Sequence, residues 1–248
     1  MTINCELVIL ILALTPYGQV HTEKIIGGRN VAPHHRPYMV YLKNQLAEEE
    51  IPYCGGFILS EDFVMTAAHC QAQSLSVFLG SHKIGENDVG IPVEKAFPHE
   101  NFSEVDYSND LMLLKLSSKV TFGTNVGPIQ LASVEDNNDD GSLPSPCSVS
   151  GWGIKSWHGE HTSRILMEAN VTLIENELCP EEISYCSGGK TGPAQGDSGG
   201  PLVCKDEKAF GVVAAGKETE PGHIISKYAK ISAYRSWINT VMNITGKP

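Results

Sequence analysis

The sequence predicts an all-β protein with a C-terminal helix. Short apolar runs bounded by Gly, Pro, Asn and Asp recur from Ile25 onward, among them "YMVYL", "GFILS", "LSVFLG", "LMLLKL", "PCSVSGWG", "PLVC" and "FGVVAAG". Runs of this length between turn residues are typical of strands. The acidic, polar segment "SVEDNNDDGSLPSP", residues 133–146, contains no such run, so we expect it to connect two β halves.

Near the C-terminus, apolar residues recur at the spacing of one helix face after a candidate cap at Ser232. We expect this helix to pack on its own domain, with a helix on a membrane surface as the alternative. The residues of the face are Tyr234, Trp237, Ile238, Val241 and Met242.

The first residues predict export from the cell. The run "LVILILAL", residues 7–14, is too short to span a bilayer and lies where the apolar centre of a secretory signal belongs. A buried strand is the alternative, and the position of the cut stays open because no small-x-small site follows. We expect a secreted protein, extracellular or stored in secretory granules, with no membrane anchor.

The cysteines fit an oxidising compartment, since six of the seven lie outside the predicted signal and form an even set. Their spacing alone does not assign the pairs. Zinc is the competing interpretation, but no CxxC occurs, and His158 and His161 in "HGEH" lack a second pair. We therefore expect neither a metal nor a cofactor.

The net charge of −11 disfavours nucleic acid or another polyanion as the main partner. Three Asn-x-Ser/Thr sequons, at Asn101, Asn170 and Asn243, are compatible with a secreted glycoprotein.

Three segments carry residues suited to nucleophilic catalysis. Ser198 stands in "TGPAQGDSGGPLVC", His69 in "VMTAAHC" and Asp110 in "SNDLMLLKL". A serine hydroxyl needs a general base, and the base needs an orienting acid. Taken singly, His69 is equally well explained as a core histidine and Asp110 as a strand cap.

Taken together and in order, "IIGG", "TAAHC", "DLMLLKL", "SGWG" and "GDSGGPLVC" resemble the chymotrypsin-like serine peptidases from Ile25 to Ile238. The resemblance implies two packed six-stranded antiparallel β-barrels with a C-terminal helix and a site in the cleft between them. It implies His69 as the base, Asp110 as its orienting acid and Ser198 as the nucleophile. The backbone amides of Gly196 and Ser198 would then form the oxyanion hole.

The junction "EKIIGG" resembles that of a zymogen. Cleavage after Lys24 by an activating protease would free Ile25, whose ammonium would pair with a buried Asp197. The apolar run and the resemblance together divide the chain into a signal peptide (1–20), a propeptide (21–24) and a serine peptidase domain (25–248).

Within the family, the segment "IIGGRNVAPHHRPYMVYL" and the absence of a pocket disulfide look like the granzymes, mast-cell proteases and duodenase. Ala194 stands where trypsins have a cysteine, and no cysteine follows Cys204 to pair with one. The family pattern would pair Cys54 with Cys70, Cys147 with Cys204, and Cys179 with Cys186.

Two departures favour a rival function, a weakly active or non-catalytic homologue acting as a binding protein. Only "PEEISY" separates Cys179 from Cys186, where relatives have a longer helical loop. Ala214 stands where relatives usually have a serine that supports the buried aspartate.

The pocket for the residue before the scissile bond would have Gly192 at its base, Gly216 in a wall and Ser226 near the back. Such a slot is open and uncharged, and it predicts cleavage after Phe, Tyr, Leu or Met, with elastase-like or acidic preferences as alternatives. Expected partners are protein or peptide substrates, the activating protease and protein protease inhibitors.

Overall fold

The computed structural model describes residues 25–45, 54–85, 90–137, 140–154 and 162–245. The predicted signal and propeptide, and the pair His158 and His161, lie outside these residues. In the described part of the chain, no helix has the length and hydropathy needed to cross a bilayer.

The described residues are almost entirely β, with one α-helix at the end, which confirms the predicted fold class. The helix, α1, spans Arg235–Thr245. The strands are β1 (Arg29–Asn30), β2 (Met39–Asn44), β3 (Cys54–Ile58), β4 (Phe63–Thr66), β5 (Leu75–Leu79), β6 (Gly90–Pro98), β7 (Met112–Leu116), β8 (Cys147–Gly151), β9 (Met167–Val171), β10 (Leu173–Ile174), β11 (Ser184–Gly189), β12 (Pro201–Cys204), β13 (Lys208–Glu220) and β14 (His223–Lys230).

The first half is a closed barrel in the order β2-β3-β4-β7-β6-β5, with every pair antiparallel. Its interior is filled by fully buried side chains such as Val40, Phe57, Met65 and Leu113. Closure leaves no exposed strand edge, so this half is a rigid base for the loops that it carries.

The second half is one sheet in the order β1-β9-β8-β12-β13-β14-β11-β10. Only Thr172 separates β9 from β10, yet β9 pairs with β8 and β10 pairs with β11 at the other end of the sheet. If β9 and β10 are taken as one bent strand, the sheet curls into the expected six-stranded barrel, to which the short β1 is added at Arg29↔Glu168.

The segment from Ser133 to Pro146 runs between the two halves, after β7 and before β8. At its start the Ser133 hydroxyl and the Asp136 side chain form a capping box around the short 3-10 turn Val134–Asp136. This polar segment therefore has ordered local structure in its described residues.

Ser232 is not the cap of the C-terminal helix, as the sequence pattern had suggested. It lies inside a 3-10 turn, Ile231–Tyr234, that leads directly into α1, and it is buried. The helix packs on its own domain as predicted, because Ile238 is fully buried in the main hydrophobic core, with Trp237 and Val241 against it.

Three disulfides form among the described residues, in the pairing that the family pattern implies. Cys54–Cys70 ties β3 to the turn that carries His69, and Cys147–Cys204 ties β8 to β12. Cys179–Cys186 closes the short loop before β11.

Candidate active site

His69 and Asp110 meet because their strands are paired. The end of β4 lies beside the start of β7 at Thr66↔Met112, so the turn after β4 and the residue before β7 are neighbours. His69 Nδ1 lies 2.6 Å from Asp110 Oδ2, and the backbone N–H of His69 donates to Oδ1 at 2.9 Å. Asp110 is fully buried. The carboxylate therefore orients the imidazole and leaves Nε2 directed away from it.

Ser198 lies on a tight turn between two glycines in the left-handed region, Gly196 (φ +94°) and Gly199 (φ +81°). The turn is fastened to both barrels. Gly55 of β3 donates its N–H to the Ser198 carbonyl at 2.7 Å, and Gly199 donates to the carbonyl of Val213 of β13 at 2.8 Å. Ser198 is thereby held between the halves, at the edge of a cavity of about 340 Å³ that His69 also lines.

The amides of Gly196 and Ser198 are free of hydrogen-bond acceptors among the described residues. Two free amides, one residue apart on a turn that includes a left-handed glycine, form a concavity able to bind an anion. At Gly196, moreover, a side chain would lie 3.1 Å from the Gly153 Cα, so both the conformation and the space require glycine.

Asp197 is buried beside this turn. Its carboxylate accepts hydrogen bonds from the N–H groups of Ala194 (2.9 Å) and Gly153 (2.7 Å). Burial raises the pKa of the Asp197 carboxyl from 3.8 to about 7, although both backbone hydrogen bonds lower it. Among the described residues no cationic side chain pairs with Asp197, and the hydrogen bonds to its carboxylate come from backbone N–H groups.

Apart from His69, no acidic or basic side chain lines the cavity beside Ser198. Of the three predicted pocket residues, only Gly216 lines it, whereas Gly192 and Ser226 are buried and do not line it. A side chain at Gly192 would lie 3.2 Å from the Ser226 Oγ, so these two residues are neighbours. Two acidic residues farther along β13, Glu218 and Glu220, do not line the cavity either, so they supply no carboxylate to it. The lining consists of His69, Tyr107, Pro193, Ala194, Gln195, Ser198, Val213, Ala214, Ala215 and Gly216.

Tyr107 was missed by the sequence analysis, although its ring packs edge-on against His69 with the centroids 5.5 Å apart. It belongs to no motif, and its only signal is an aromatic residue in a short loop, "SEVDYS", whose other residues are polar apart from Val105. Its backbone is in the left-handed region (φ +53°), which is uncommon for a bulky residue and occurs at functional sites.

A second cavity, of about 570 Å³, continues the first and was also missed. We call it the upstream recess; it shares Tyr107, Ala215 and Gly216 with the cavity beside Ser198. Two exposed apolar side chains are on its rim, Val105 (96% exposed) and Leu178 (40%). Leu178 comes directly before Cys179, so the short disulfide loop forms one side of the recess.

The described residues contain one group of His, Cys or acidic side chains close enough to share a metal ion, namely Cys54, His69 and Cys70. The two cysteines are bonded to each other and have no thiolate to offer.

Comparison with known proteins identifies the family. The protein-family model described as Trypsin matches residues 25–238. The chain belongs to the trypsin family. Granzyme E of Mus musculus is 38% identical over 250 residues, with 95% of this chain and 98% of the relative covered. Duodenase-1 of Bos taurus is 36% identical over 249 residues, with 95% of each chain covered.

A solved structure of neuropsin, a serine protease expressed in mouse brain, has a TM-score of 0.74 and 30% identity, and the match covers 87% of this chain and 98% of neuropsin. This trypsin-family chain is thus a granzyme-like serine endopeptidase with a chymotrypsin-like fold, as its motifs had predicted.

Proposed function

We propose that the protein is a secreted serine endopeptidase, made as a zymogen, that cleaves after large apolar residues through an acyl-enzyme. The observation that carries this proposal is the 2.6 Å pair of His69 and Asp110 beside the same cavity as Ser198. The three disulfides support an oxidising, extracellular or granular location.

In this mechanism the Ser198 Oγ attacks the scissile carbonyl carbon while His69 Nε2 accepts its proton. Asp110 stabilises the imidazolium that forms, and the amides of Gly196 and Ser198 stabilise the oxyanion. His69 then gives its proton to the leaving amine, and water, activated by the same imidazole, hydrolyses the acyl-enzyme and restores Ser198.

The substrate main chain would bind along β13. The strand β12 pairs with β13 only as far as Pro201↔Val212, and no strand of the described residues continues that pairing beyond it. The edge from Ala214 to Gly216 therefore faces the cleft, where an extended peptide can add to the sheet.

The proposed preference rests on the character of both cavities. The slot has no carboxylate to pair with Arg or Lys, and burial of an unpaired cation is strongly unfavourable. The upstream recess, with Val105 and Leu178 on its rim, would take a further apolar side chain on the acyl side of the scissile bond.

Activation would follow cleavage after Lys24. Ile25 is already fully buried and Ile26 forms a bridge with Gly192, which supports docking of this segment against the pocket. A free ammonium at Ile25 would supply the counter-charge that Asp197 lacks in the uncleaved chain. Unprocessed protein should therefore be nearly inactive, and Asp197→Asn should stay inactive after cleavage.

A non-catalytic binding protein is the alternative, favoured by Ala214, which has no hydroxyl to offer Asp110. A fluorophosphonate probe separates the two functions, with Ser198→Ala as the control. After cleavage at Lys24, labelling of the wild-type protein but not the variant supports the peptidase, and a peptide library then gives its preference. Absence of labelling in the cleaved wild-type protein contradicts the proposed peptidase function.

A further inference from the structure

Asp110 is the central residue of a three-residue turn. The N–H of Leu111 donates to the carbonyl of Asn109 at 2.9 Å, which closes the turn around Asp110 just before β7. Asn109 itself has a left-handed backbone (φ +54°), a conformation that asparagine tolerates better than most residues. The direction of the Asp110 side chain therefore depends on how firmly Asn109 is held.

The side chain of Asn109 is held on both of its polar atoms. Its Nδ2 donates to the carbonyl of Asn101 at 2.9 Å, and its Oδ1 accepts from the Tyr234 hydroxyl at 3.1 Å. Tyr234 belongs to the 3-10 turn before α1, so this bond joins the second half of the chain to the segment that carries Asp110.

Tyr234 is itself fixed and lies near the carboxylate. It is buried, and the His99 ring packs edge-on against it with the centroids 5.3 Å apart. Burial, and secondarily the negative charge of Asp110, raise the pKa of the Tyr234 hydroxyl to about 12. The hydroxyl therefore stays protonated near neutral pH and remains a donor to Asn109.

Asp110 needs such support because few groups reach it directly. Within the described residues, the hydrogen bonds to its carboxylate come from His69 alone. An ionised carboxylate can accept about four hydrogen bonds. Ala214, which lines the neighbouring cavity, presents a methyl group instead of a hydroxyl.

We propose that Asn109 and Tyr234 are positioning residues that aim Asp110 at His69, in place of a hydroxyl at position 214. The inference rests on the proposed function, since it assigns these residues to the same catalytic step. It also has a structural consequence that requires no turnover: the geometry of the His69–Asp110 hydrogen bond depends on the Tyr234 hydroxyl.

Tyr234→Phe tests the proposal, because it keeps the ring that packs on His99 and removes only the hydroxyl. We expect kcat to fall about fivefold with KM nearly unchanged, and the low-field proton resonance of the His69–Asp110 bond to shift or broaden. Tyr185→Phe is the matched control: the Tyr185 hydroxyl donates to Asn137 Oδ1 at 3.0 Å, outside the cleft. It should leave both the rate and the resonance unchanged.

Two further variants separate positioning from general stability. Asn109→Gly retains the left-handed backbone but loses both side-chain bonds, so it should reproduce the loss seen in Tyr234→Phe. Ala214→Ser restores a donor to Asp110 and should recover most of the kcat of Tyr234→Phe. If Tyr234→Phe lowers kcat equally with and without Ala214→Ser, the proposal is contradicted.

The resonance distinguishes failure of this proposal from failure of the proposed function. If the cleaved protein does not react with fluorophosphonate, the proposed peptidase function is contradicted. The proton resonance of the His69–Asp110 bond should still respond to Tyr234→Phe if Asn109 and Tyr234 position Asp110. An unchanged resonance and unchanged kcat in Tyr234→Phe overturn the positioning role even when the wild-type enzyme is active.

Discussion

The Asp197 carboxylate is bound by the Gly153 amide at 2.7 Å, in a space that leaves no room for a side chain at position 153. A Cβ there would lie 2.5 Å from Asp197 Oδ2. Gly151 is packed against the same carboxyl group. The two glycines of "SGWG" are thus explained by the buried acid that precedes Ser198, and this contact links the end of β8 to the turn that carries Ser198.

His69→Ala and Ser198→Ala should each lower turnover by several orders of magnitude, and the double variant should be scarcely worse. The residues act as a unit in which the hydroxyl is unreactive without its base. Steady-state kinetics on activated protein, with active-site titration of the wild type, measures this. Losses that multiply in the double variant would contradict a shared step.

The uncleaved Ser198→Ala chain should lose stability as the pH rises from about 4 to about 7, and the loss should level off above that. Burial raises the Asp197 pKa from 3.8 to about 7, so the folded state keeps a proton that the unfolded state releases across this window. The contribution of the Asp197 carboxyl to the free energy of unfolding therefore falls by at most about 1.4 kcal/mol per pH unit.

Urea titrations at stepped pH measure that slope, with Asp197→Asn in the same background as the control. The control should lack this contribution. If its slope equals that of the parent chain, another group carries the pH dependence and the burial of Asp197 has no measurable effect.

Gly199→Ala should unfold the protein or cost several kcal/mol. The residue has φ +81°, and an added Cβ would meet the Gly55 carbonyl oxygen at 2.6 Å and the Ala67 nitrogen at 2.9 Å, both of them backbone atoms unable to move aside. Thermal unfolding compared with Gly141→Ala is the measurement. Gly141 also has a positive φ, of +74°, but open space around it, so it reports the backbone strain alone.

Gly192→Asp should raise cleavage after Arg or Lys relative to Phe or Leu, although only in part. The Cβ of the new side chain would lie 3.2 Å from the Ser226 Oγ, at a position that does not line the present cavity, so a substrate cation would have to reach it. Before the substitution, discrimination against Arg and Lys should exceed about a hundredfold. Cleavage of a peptide library by the wild type and by Gly192→Asp measures this change in preference. A wild-type preference for Arg or Lys would contradict the prediction that the slot is uncharged.

Leu178→Asp should lower kcat/KM roughly tenfold for peptides that carry a large apolar residue upstream of the scissile bond. The reason is that a charge replaces apolar surface on the rim of the recess. Peptides too short to reach the recess should be cleaved as before. Val134→Asp, at another exposed apolar residue (69%), is the control. Equal losses for long and short peptides would argue against the recess as a subsite.

Much of the fold could be predicted from the sequence because the residue patterns that indicate strands and turns are local. Apolar-rich runs such as "LMLLKL" formed strands, in this case β7, and the helical face ending at Met242 formed α1. The strand β6, "GIPVEKAFP", was not singled out because its side chains are partly or wholly exposed and show no continuous apolar run. The cap assigned to Ser232 was wrong because burial in a 3-10 turn outweighed local capping preference.

The sequence by itself determined the family, the candidate serine, histidine and aspartate, and the glycines around them. This was possible because motifs in a fixed order and the residue preferences of turns are local properties of the sequence. Only the tertiary structure decided which groups meet. His69 and Asp110 are 41 residues apart in the chain, and Asn109 and Tyr234 are 125 apart. The recess beside Leu178 likewise exists only where a disulfide loop, a polar loop and two strands converge. Contacts of this kind depend on how the barrels close and pack, which no local pattern encodes.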